Sequence, residues 1–508
     1  MAIVVSHIAD RFDDLARQAL RQQGLADLIE LRLDRIGHPG PDALRAFCAE
    51  AQKPVIVSCP GPEDDGAFTG SIDERLQLLV DAALAGARFC DVHWELSLEL
   101  GELENKCHRI VSRHDWDGVP DDLESFHEDV AEVLYEGDVT KIVTTAHTTE
   151  DGLRMLRYVR STRGVVGFCM GAAGSFTRVL APIFGSPLTY CAPAVMPGEE
   201  APERTAPGQL RADELVTIMP PGGANQETAI FGVVGRHVAS SWSPRVHGMA
   251  LKAAQLNAVY VALEPESLGG LLELADDDNY RGFSVTAPFK AEAAERAVRR
   301  DGSTDGAKAA NTLVREADGW RASNTDVPAV RDTLERGFQI HAREPGRPAS
   351  AVEAHTLVLG TGGAARGVLW ALSSIEARAT VAGRDRAKAE ALAAELGCEA
   401  CGWDEIEALP YDALVHATPV GSALGGGGDA ELPIPADWIR PGTLVLDAVY
   451  RPIRTPLLLE AMRRGCTPIP GGEWFVRQAI AQYRLFTGAE PDEELMRAAF
   501  EHALEEDR

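Results

Sequence analysis

Eight short β-rich runs, separated by segments of helical length, occupy roughly the first 215 residues: IVVS from Ile3, LIELRL from Leu28, VIVS from Val55, FCDVHW from Phe89, RIVS from Arg109, KIVTT from Lys141, VVGF from Val165 and PLTYC from Pro187. Strands that alternate with helices pair in parallel, because each helical crossover returns the chain to start the next strand in the same direction. Eight such units are what a (β/α)8 TIM barrel requires, here at the short end of that fold's size range. An α/β protein with an N-terminal barrel is therefore expected.

The chain continues to residue 508, too long for a single core. After the helical-looking RADELVTIM, the stretch Pro220 to Gln226 (PPGGANQ) is rich in Pro and Gly and lacks periodicity. The expected division is a barrel over 1–219, a linker over 220–226, a second βα lobe over 227–330, a nucleotide-binding lobe over 331–480 and a closing helical segment over 481–508. A polar connection, Arg343 to Ser350, precedes the strand TLVLG that opens the nucleotide pattern at Thr356. The glycine run Gly425 to Gly428 reads as a loop, and the acidic run Glu505 to Asp507 as the solvated end of a last helix.

The net charge of −28 repels nucleic acid and anionic membrane surfaces, so neither is an expected partner. No apolar stretch reaches membrane-spanning length and the opening MAIVVSHIAD has no basic n-region, which points to a cytoplasmic protein. The 9 cysteines are scattered; Cys398 and Cys401 form a CxxC without a second pair or histidines at zinc spacing. Free thiols in a reducing compartment and no metal are expected. Oligomeric state is not legible.

Position along the strands singles out the first candidate residues. Glu30 and Arg32 lie two apart on the second strand, so alternation turns both to one face, as part of a site or as a structural ion pair. Lys141 stands among Ile142, Val143 and Thr144, where partial desolvation is expected to lower its pKa toward that of a usable nucleophile. His114, in Ser112-Arg113-His114-Asp115-Trp116, ends the fifth strand, where barrel enzymes place their chemistry.

Together Glu30, Arg32, His114 and Lys141 resemble the type I 3-dehydroquinate dehydratases, whose E-x-R-x-D, S-x-H-D and K-I motifs occur here in order. The resemblance extends to Met170-Gly171, to Ser175-Phe176-Thr177-Arg178 and to Thr205-Ala206-Pro207-Gly208-Gln209, and covers the first domain. It implies a lyase in which Lys141 forms an imine with the C3 carbonyl of 3-dehydroquinate. His114 would remove the C2 proton and help the C1 hydroxyl leave. Glu30 and Arg32 would hold ring hydroxyls, and Arg178, Thr205 and Gln209 the carboxylate. One departure stands out: where the family carries a further arginine after strand three, this chain reads Val57-Ser58-Cys59-Pro60-Gly61, followed by Asp64-Asp65-Gly66, so Pro60 leaves a cation missing. A barrel retained as a structural or regulatory module is the competing reading.

In the second half, the strand at Thr356 runs into Gly360-Thr361-Gly362-Gly363-Ala364-Ala365-Arg366 and a helical segment. A glycine turn there lets backbone amides approach a pyrophosphate at the helix N-terminus. The next strand ends at Gly383-Arg384-Asp385-Arg386, where Arg384, with Arg386 or Lys388, suits a 2′-phosphate; NADP is expected, and Asp385 keeps NAD open. Upstream, Ser240-Ser241-Trp242-Ser243-Pro244 through His247 and Phe283-Ser284-Val285-Thr286 through Lys290 resemble the S-x-S-P-x-x-H and N-V-T-x-P-x-K segments of shikimate dehydrogenases. Ala310-Asn311-Thr312, Asn324-Thr325-Asp326, Ala417-Thr418-Pro419, Tyr450 and Gly471 through Gln478 continue the match across residues 227 to 488.

That resemblance implies an oxidoreductase with Lys290 and Asp326 as catalytic pair. Ser241, Ser243, Thr286, Asn311, Tyr450 and Gln478 would bind substrate. Gly360, Gly362, Gly363, Ala364, Ala365, Arg384, Arg386, Thr418 and Gly471 would hold NADP. Ser284 in place of asparagine, Gly248 after His247 and Val327-Pro328 after Asp326 depart from the pattern and leave room for quinate as substrate. The two families act in sequence, the first making the 3-dehydroshikimate that the second reduces, an agreement that neither resemblance alone requires.

Overall fold

The computed structural model describes residues 2–104, 106–423 and 431–506; Gly425 to Gly428 and Asp507 lie outside them. The chain forms two compact units, Met1–Ala229 with Gln255–Val259 and Gly270–Asn279, and Ile230–Ala254 with Tyr260–Gly269 and Tyr280–Arg508.

In the first unit β1 (Ala2–His7), β2 (Leu28–Arg32), β3 (Val55–Ser58), β4 (Phe89–His93), β5 (His108–Asp115), β6 (Val139–Thr145), β7 (Val166–Met170) and β8 (Leu188–Cys191) form one sheet in the order β7-β6-β5-β4-β3-β2-β1-β8. Every pairing in it is parallel. The rings of Phe168 on β7 and Tyr190 on β8 meet at 5.8 Å and bring the two ends of the sheet together. All eight strands read from the sequence are present.

Both faces of the strands are buried, so apolar residues run almost without interruption: Val4, Val5, Ile29, Leu31, Ile56, Val57, Val111, Ile142 and Val166 are inaccessible or nearly so. Each such side chain contributes about 1.5–3 kcal/mol of transfer free energy. Polar inward residues forgo that gain, and they collect at the C-terminal ends of the strands. The register sets Ser112 of β5 level with His93 of β4 and Lys141 of β6.

The second unit holds two sheets. β9 (Ala229–Val234), β10 (Ala258–Leu263), β11 (Tyr280–Val285), β12 (Arg299–Arg300), β13 (Thr312–Glu316) and β14 (Gly319–Ser323) form a mixed sheet ordered β10-β9-β11-β13-β14-β12. β15 (His355–Leu359), β16 (Arg378–Ala382), β17 (Glu399–Cys401), β18 (Ala413–His416), β19 (Leu444–Asp447) and β20 (Thr467–Ile469) form a parallel sheet ordered β17-β16-β15-β18-β19-β20. The chain steps outward from β15 to one edge, then returns to β18 and steps to the other, which is the doubly wound nucleotide-binding order. Leu357 and Leu359 face one apolar layer and Val358 the opposite one, so helices cover both sides.

The expected lobe limits at 330 and 480 fall inside the helices Asp326–His341 and Gly472–Thr487. Val330, Leu334 and Phe338 of the first helix are buried in the core beneath the nucleotide sheet, together with Val358, Leu369 and Trp474. That core, more than any proline or glycine signal, decides where the lobe begins.

Candidate active sites

The inward residues at the C-terminal ends of the barrel strands line a cavity that opens to solvent. Glu30, Arg32, His114, Lys141, Arg178, Thr205 and Gln209 all line it. Gly208, at φ +69°, lies against the Gly171 carbonyl so closely that any side chain there would collide with it. This contact brings the loop carrying Thr205 and Gln209 onto the end of β7.

Lys141 is buried, and its Nζ lies 2.7 Å from Asp91 Oδ2. Asp91 Oδ1 in turn accepts a hydrogen bond of 2.6 Å from Ser112. Burial pushes the lysine down, but Asp91 and Glu30 outweigh it, and its pKa stands above the ordinary lysine value. The expected lowering is thus overturned. The alternation that turns Lys141 inward also turns Asp91 inward, one strand removed, and an opposite charge in a poorly solvated cavity acts strongly.

His114 Nδ1 lies 2.8 Å from Asp64 Oδ1, and the other oxygen of Asp64 lies 3.0 Å from His93 Nδ1. Burial raises the Asp64 carboxyl, but the two histidine bonds overcome it and hold it well below the usual carboxylate range. With Nδ1 engaged by a carboxylate, the lone pair of His114 is on Nε2. Its ring stacks on Trp116 at 5.7 Å.

Arg178 is 1% exposed. It donates to the Cys169 carbonyl at 2.7 Å, lies 4.8 Å from the centre of the Phe168 ring and leaves its Nε without a partner. Burial brings its pKa down to about 10. Such a group is strongly stabilised by an incoming anion. Arg32 is engaged otherwise: it donates to Asp34 at 3.1 and 3.0 Å and to the Thr205 carbonyl at 2.8 Å, so no Glu30–Arg32 ion pair forms. Thr205 donates through N and Oγ1 to Gln209 Oε1, each at 3.0 Å.

Pro60 lines the cavity without a charge, as read from the sequence, but the cation is not missing from the site. Arg75, on the helix Ile72–Ala85, lines the same cavity while 5% exposed. Its guanidinium pairs with Glu63 and packs so closely on Gly61 that a Cβ there would meet it at 2.5 Å. Donor atoms of Glu63, Asp64 and His93 lie within 4.8 Å of one another, yet both Asp64 oxygens are taken by histidines and Glu63 is taken by Arg75.

The second unit has a cleft of about 1440 Å³, open to solvent and lined by Ser241, Ser243, Thr286, Lys290, Asn311, Asp326, Tyr450 and Gln478 together with Ala364 and Gly471. Lys290 Nζ lies 2.6 Å from Asp326 Oδ2, with the two side chains 13% and 9% exposed, so this is a buried pair and not a surface one. Trp474 Nε1 donates to Asp326 Oδ1 at 3.2 Å, and the carboxylate sits in the first turn of its helix, where the backbone dipole favours negative charge. Asn311 is held at both ends by Thr325, through Nδ2 and Oδ1, each at 2.8 Å. Ser241 Oγ lies 3.2 Å from Ser243 Oγ. Burial raises the Tyr450 phenol despite its hydrogen bond to Ser241. Ser284 is drawn into a chain from Tyr260 (2.6 Å) to Gln482 (2.8 Å).

At the end of β15, Gly360 has φ +118° and faces the Ala417 carbonyl at the end of β18, where a Cβ would approach to 2.9 Å. Gly362 caps the helix Gly363–Ser373 without a side chain over the first amides. This bare helix N-terminus, at the point where the strand order reverses, fits a dinucleotide pyrophosphate. Arg384 is exposed and makes no ion pair among the described residues. Arg386, in contrast, is tied to Glu390 at 2.8 Å and Glu405 at 3.0 Å, and Asp385 caps the helix Arg386–Leu396. Ala365 is buried in the apolar core, so only its backbone could meet a cofactor. The Thr418 hydroxyl is 2.5 Å from His416 Nε2.

Sequence reading passed over Asp64, Arg75, Asp91 and His93. Asp91 and His93 are two apart on β4, so the alternation that found Glu30 and Arg32 would have found them. Asp64 and Arg75 come from a turn and a helix that carry no such signal.

Both halves of the chain are similar to known proteins. The sequence model for type I 3-dehydroquinase matches residues 3–220, that for the shikimate dehydrogenase substrate binding domain residues 233–313, and that for the shikimate 5'-dehydrogenase C-terminal domain residues 475–499. A chloroplastic bifunctional 3-dehydroquinate dehydratase/shikimate dehydrogenase of Arabidopsis thaliana is 29% identical over 505 residues, covering 96% of this chain and 82% of the plant protein. A shikimate dehydrogenase (NADP(+)) of Halobacterium salinarum is 35% identical over 280 residues, 54% of this chain and 99% of its own length. The crystal structure of Thermus thermophilus shikimate 5-dehydrogenase with NADP(H) and shikimate matches at 31% identity and a TM-score of 0.47, covering 55% of this chain and all of that one. Over its barrel the chain is similar to the type I 3-dehydroquinases, and over its second half it belongs to the shikimate dehydrogenase family.

Proposed function

We propose that this chain performs two consecutive steps, dehydration of 3-dehydroquinate to 3-dehydroshikimate in the barrel and NADPH-dependent reduction of 3-dehydroshikimate to shikimate in the second unit. The observation that carries the reading is the barrel cavity. It joins a buried lysine, a histidine oriented by a carboxylate and a buried arginine with a free donor, the three needs of imine chemistry on a carboxylic acid.

In the barrel, Arg178, Thr205 and Gln209 receive the carboxylate while Glu30 and Arg32 hold ring hydroxyls. Lys141 rests as an ammonium and gives a proton to Asp91, 2.7 Å away, before its amine attacks C3. The carbonyl oxygen leaves as water, taking one proton from the attacking nitrogen and the other back from Asp91, and the C=N bond forms. The iminium draws electrons from the C2–H bond, and His114 Nε2 takes that proton. The electron pair then forms the C1–C2 double bond as the C1 hydroxyl departs with the proton from His114. Water hydrolyses the imine and frees Lys141, for a net loss of one water.

In the cleft, Ser241, Ser243, Thr286, Asn311, Tyr450 and Gln478 bind the ring acid. The dinucleotide, when bound, supplies hydride to the ketone carbon. Lys290 stabilises the negative charge that grows on the ketone oxygen and protonates it, and Asp326 holds the ammonium and accepts from a substrate hydroxyl. Arg384, exposed and without an ion pair among the described residues, suits the 2′-phosphate, while Asp385 is occupied with its helix cap. Gly360, Gly362, Gly363, Ala364, Thr418, Gly471 and the Ala365 backbone complete the cradle. All nine cysteines are free thiols, which fits a reducing compartment such as the cytoplasm; among the described residues no helix is long and apolar enough to cross a membrane.

The purified chain supplied only with 3-dehydroquinate and NADPH should oxidise NADPH and form shikimate. Oxidation that requires added 3-dehydroshikimate would refute the dehydratase half. Borohydride with 3-dehydroquinate should add substrate mass at Lys141, and an unchanged mass would remove the imine.

A further inference from the structure

Asp64 serves two imidazoles. Its Oδ1 lies 2.8 Å from His114 Nδ1 and its Oδ2 lies 3.0 Å from His93 Nδ1, all three side chains lining the barrel cavity. One carboxylate can neutralise only one imidazolium fully. Resting on the dehydratase reading, we propose that His93 is a positioning residue that fixes Asp64 against His114 and, by carrying a proton of its own, keeps His114 in the free-base form at lower pH than a simple histidine–aspartate pair would.

The surroundings favour a charged His93. Asp64 and Glu63 face it from the turn after β3, Glu95 lies 3.7 Å from its Nε2 in the turn after β4, and the nearby cations Arg75 and Lys141 are each paired with a carboxylate of their own. Asp91 on the same strand is engaged by Lys141 and Ser112. Burial lowers the His93 pKa, but the Asp64 bond and the charges of Asp64, Glu63 and Glu95 raise it overall. A proton on His93 draws part of the Asp64 charge away from His114. Protonation of His114 then gains less from the shared carboxylate, and the base stays available. The geometric role is separate: with both oxygens engaged, Asp64 cannot rotate, and His114 Nε2 stays aimed into the cavity.

The test is the pH dependence of dehydration kcat/KM in the full-length chain, with the circular dichroism spectrum and thermal melting curve of the same preparation as the folding control. His93→Asn keeps an N–H donor near the Nδ1 position and cannot titrate; His93→Phe keeps only the ring volume. Both variants should move the acid limb to higher pH by about one unit. The asparagine variant should retain at least about tenfold more plateau kcat than the phenylalanine one, because it still anchors Asp64. An acid limb in His93→Asn that superimposes on the wild type overturns the proposal, as does equal loss of plateau in the two variants. If His93→Phe fails to fold, the His93→Asn limb decides alone. Absence of dehydration and of borohydride trapping in the wild-type chain sinks the dehydratase reading itself, whereas an active wild type with an unmoved limb sinks only His93.

Discussion

Replacing Asp91 by asparagine should make the barrel lysine reactive at lower pH. The carboxylate and the ammonium are 2.7 Å apart, which at an effective dielectric of about 20 corresponds to roughly 6 kcal/mol of attraction. Burial opposes it, and Glu30 remains, so the part that shows in titration should be about 1–3 pH units, or about 1.4–4 kcal/mol. The asparagine side chain has the volume of aspartate and can still accept from Ser112, so the cavity keeps its shape. The assay is the initial rate of borohydride-trapped adduct at Lys141 across a pH series, with the circular dichroism spectrum of the same preparation as a check on folding. The wild-type profile should rise toward alkaline pH, and that of Asp91→Asn should reach half its plateau about 1–3 units lower, even though the plateau itself falls for want of a proton acceptor. A profile that overlays the wild type, or moves to higher pH, would show that Asp91 does not control the lysine's charge.

Arg75→Ala should raise KM for 3-dehydroquinate by about tenfold or more with little change in kcat, since it leaves Glu63 as an unneutralised carboxylate beside an anionic substrate without touching Lys141; an unchanged KM would leave Pro60 uncompensated. Arg384→Ala should weaken NADPH use by about 10–100-fold and leave NADH use nearly unaffected, read from steady-state kinetics with each dinucleotide. Lys290→Ala should lower reductase turnover by orders of magnitude while cofactor affinity, measured by fluorescence titration, is kept. Asp64→Asn should destabilise the barrel most above the ordinary aspartate value. A lowered carboxylate contributes stability that is present above its unfolded pKa and lost as pH falls through its folded one, so urea midpoints of mutant and wild type should converge toward acid.

The barrel was legible because its signal is redundant. Eight strands recur at helix-length spacing, and period-two alternation places Glu30, Arg32 and Lys141 inside. The ionisation of Lys141 was not legible, since it depends on Asp91, two strands away, and which inward side chains of β4 and β6 meet is set by closure of the barrel. Arg75 escaped for a similar reason: its guanidinium reaches the cavity only because Gly61 leaves room for it. In the second half, the glycine turn at Gly360 announced itself, but the fates of Arg386 and Asp385 were decided by Glu405 and by a helix cap. The lobe limit read at 330 lies inside helix Asp326–His341, whose apolar face is committed to the nucleotide core, a fact no local composition expresses.

That helix has a consequence for the reductase. Asp326 is its first residue and is also bonded to Trp474, so the carboxylate is anchored to the nucleotide lobe, while Lys290 rises from the segment after β11 in the other. The Asp326 backbone N also donates to Asn324 Oδ1 just beyond β14, so the carboxylate that meets Lys290 at 2.6 Å is braced from the neighbourhood of both sheets, and its position does not rest on the lysine alone.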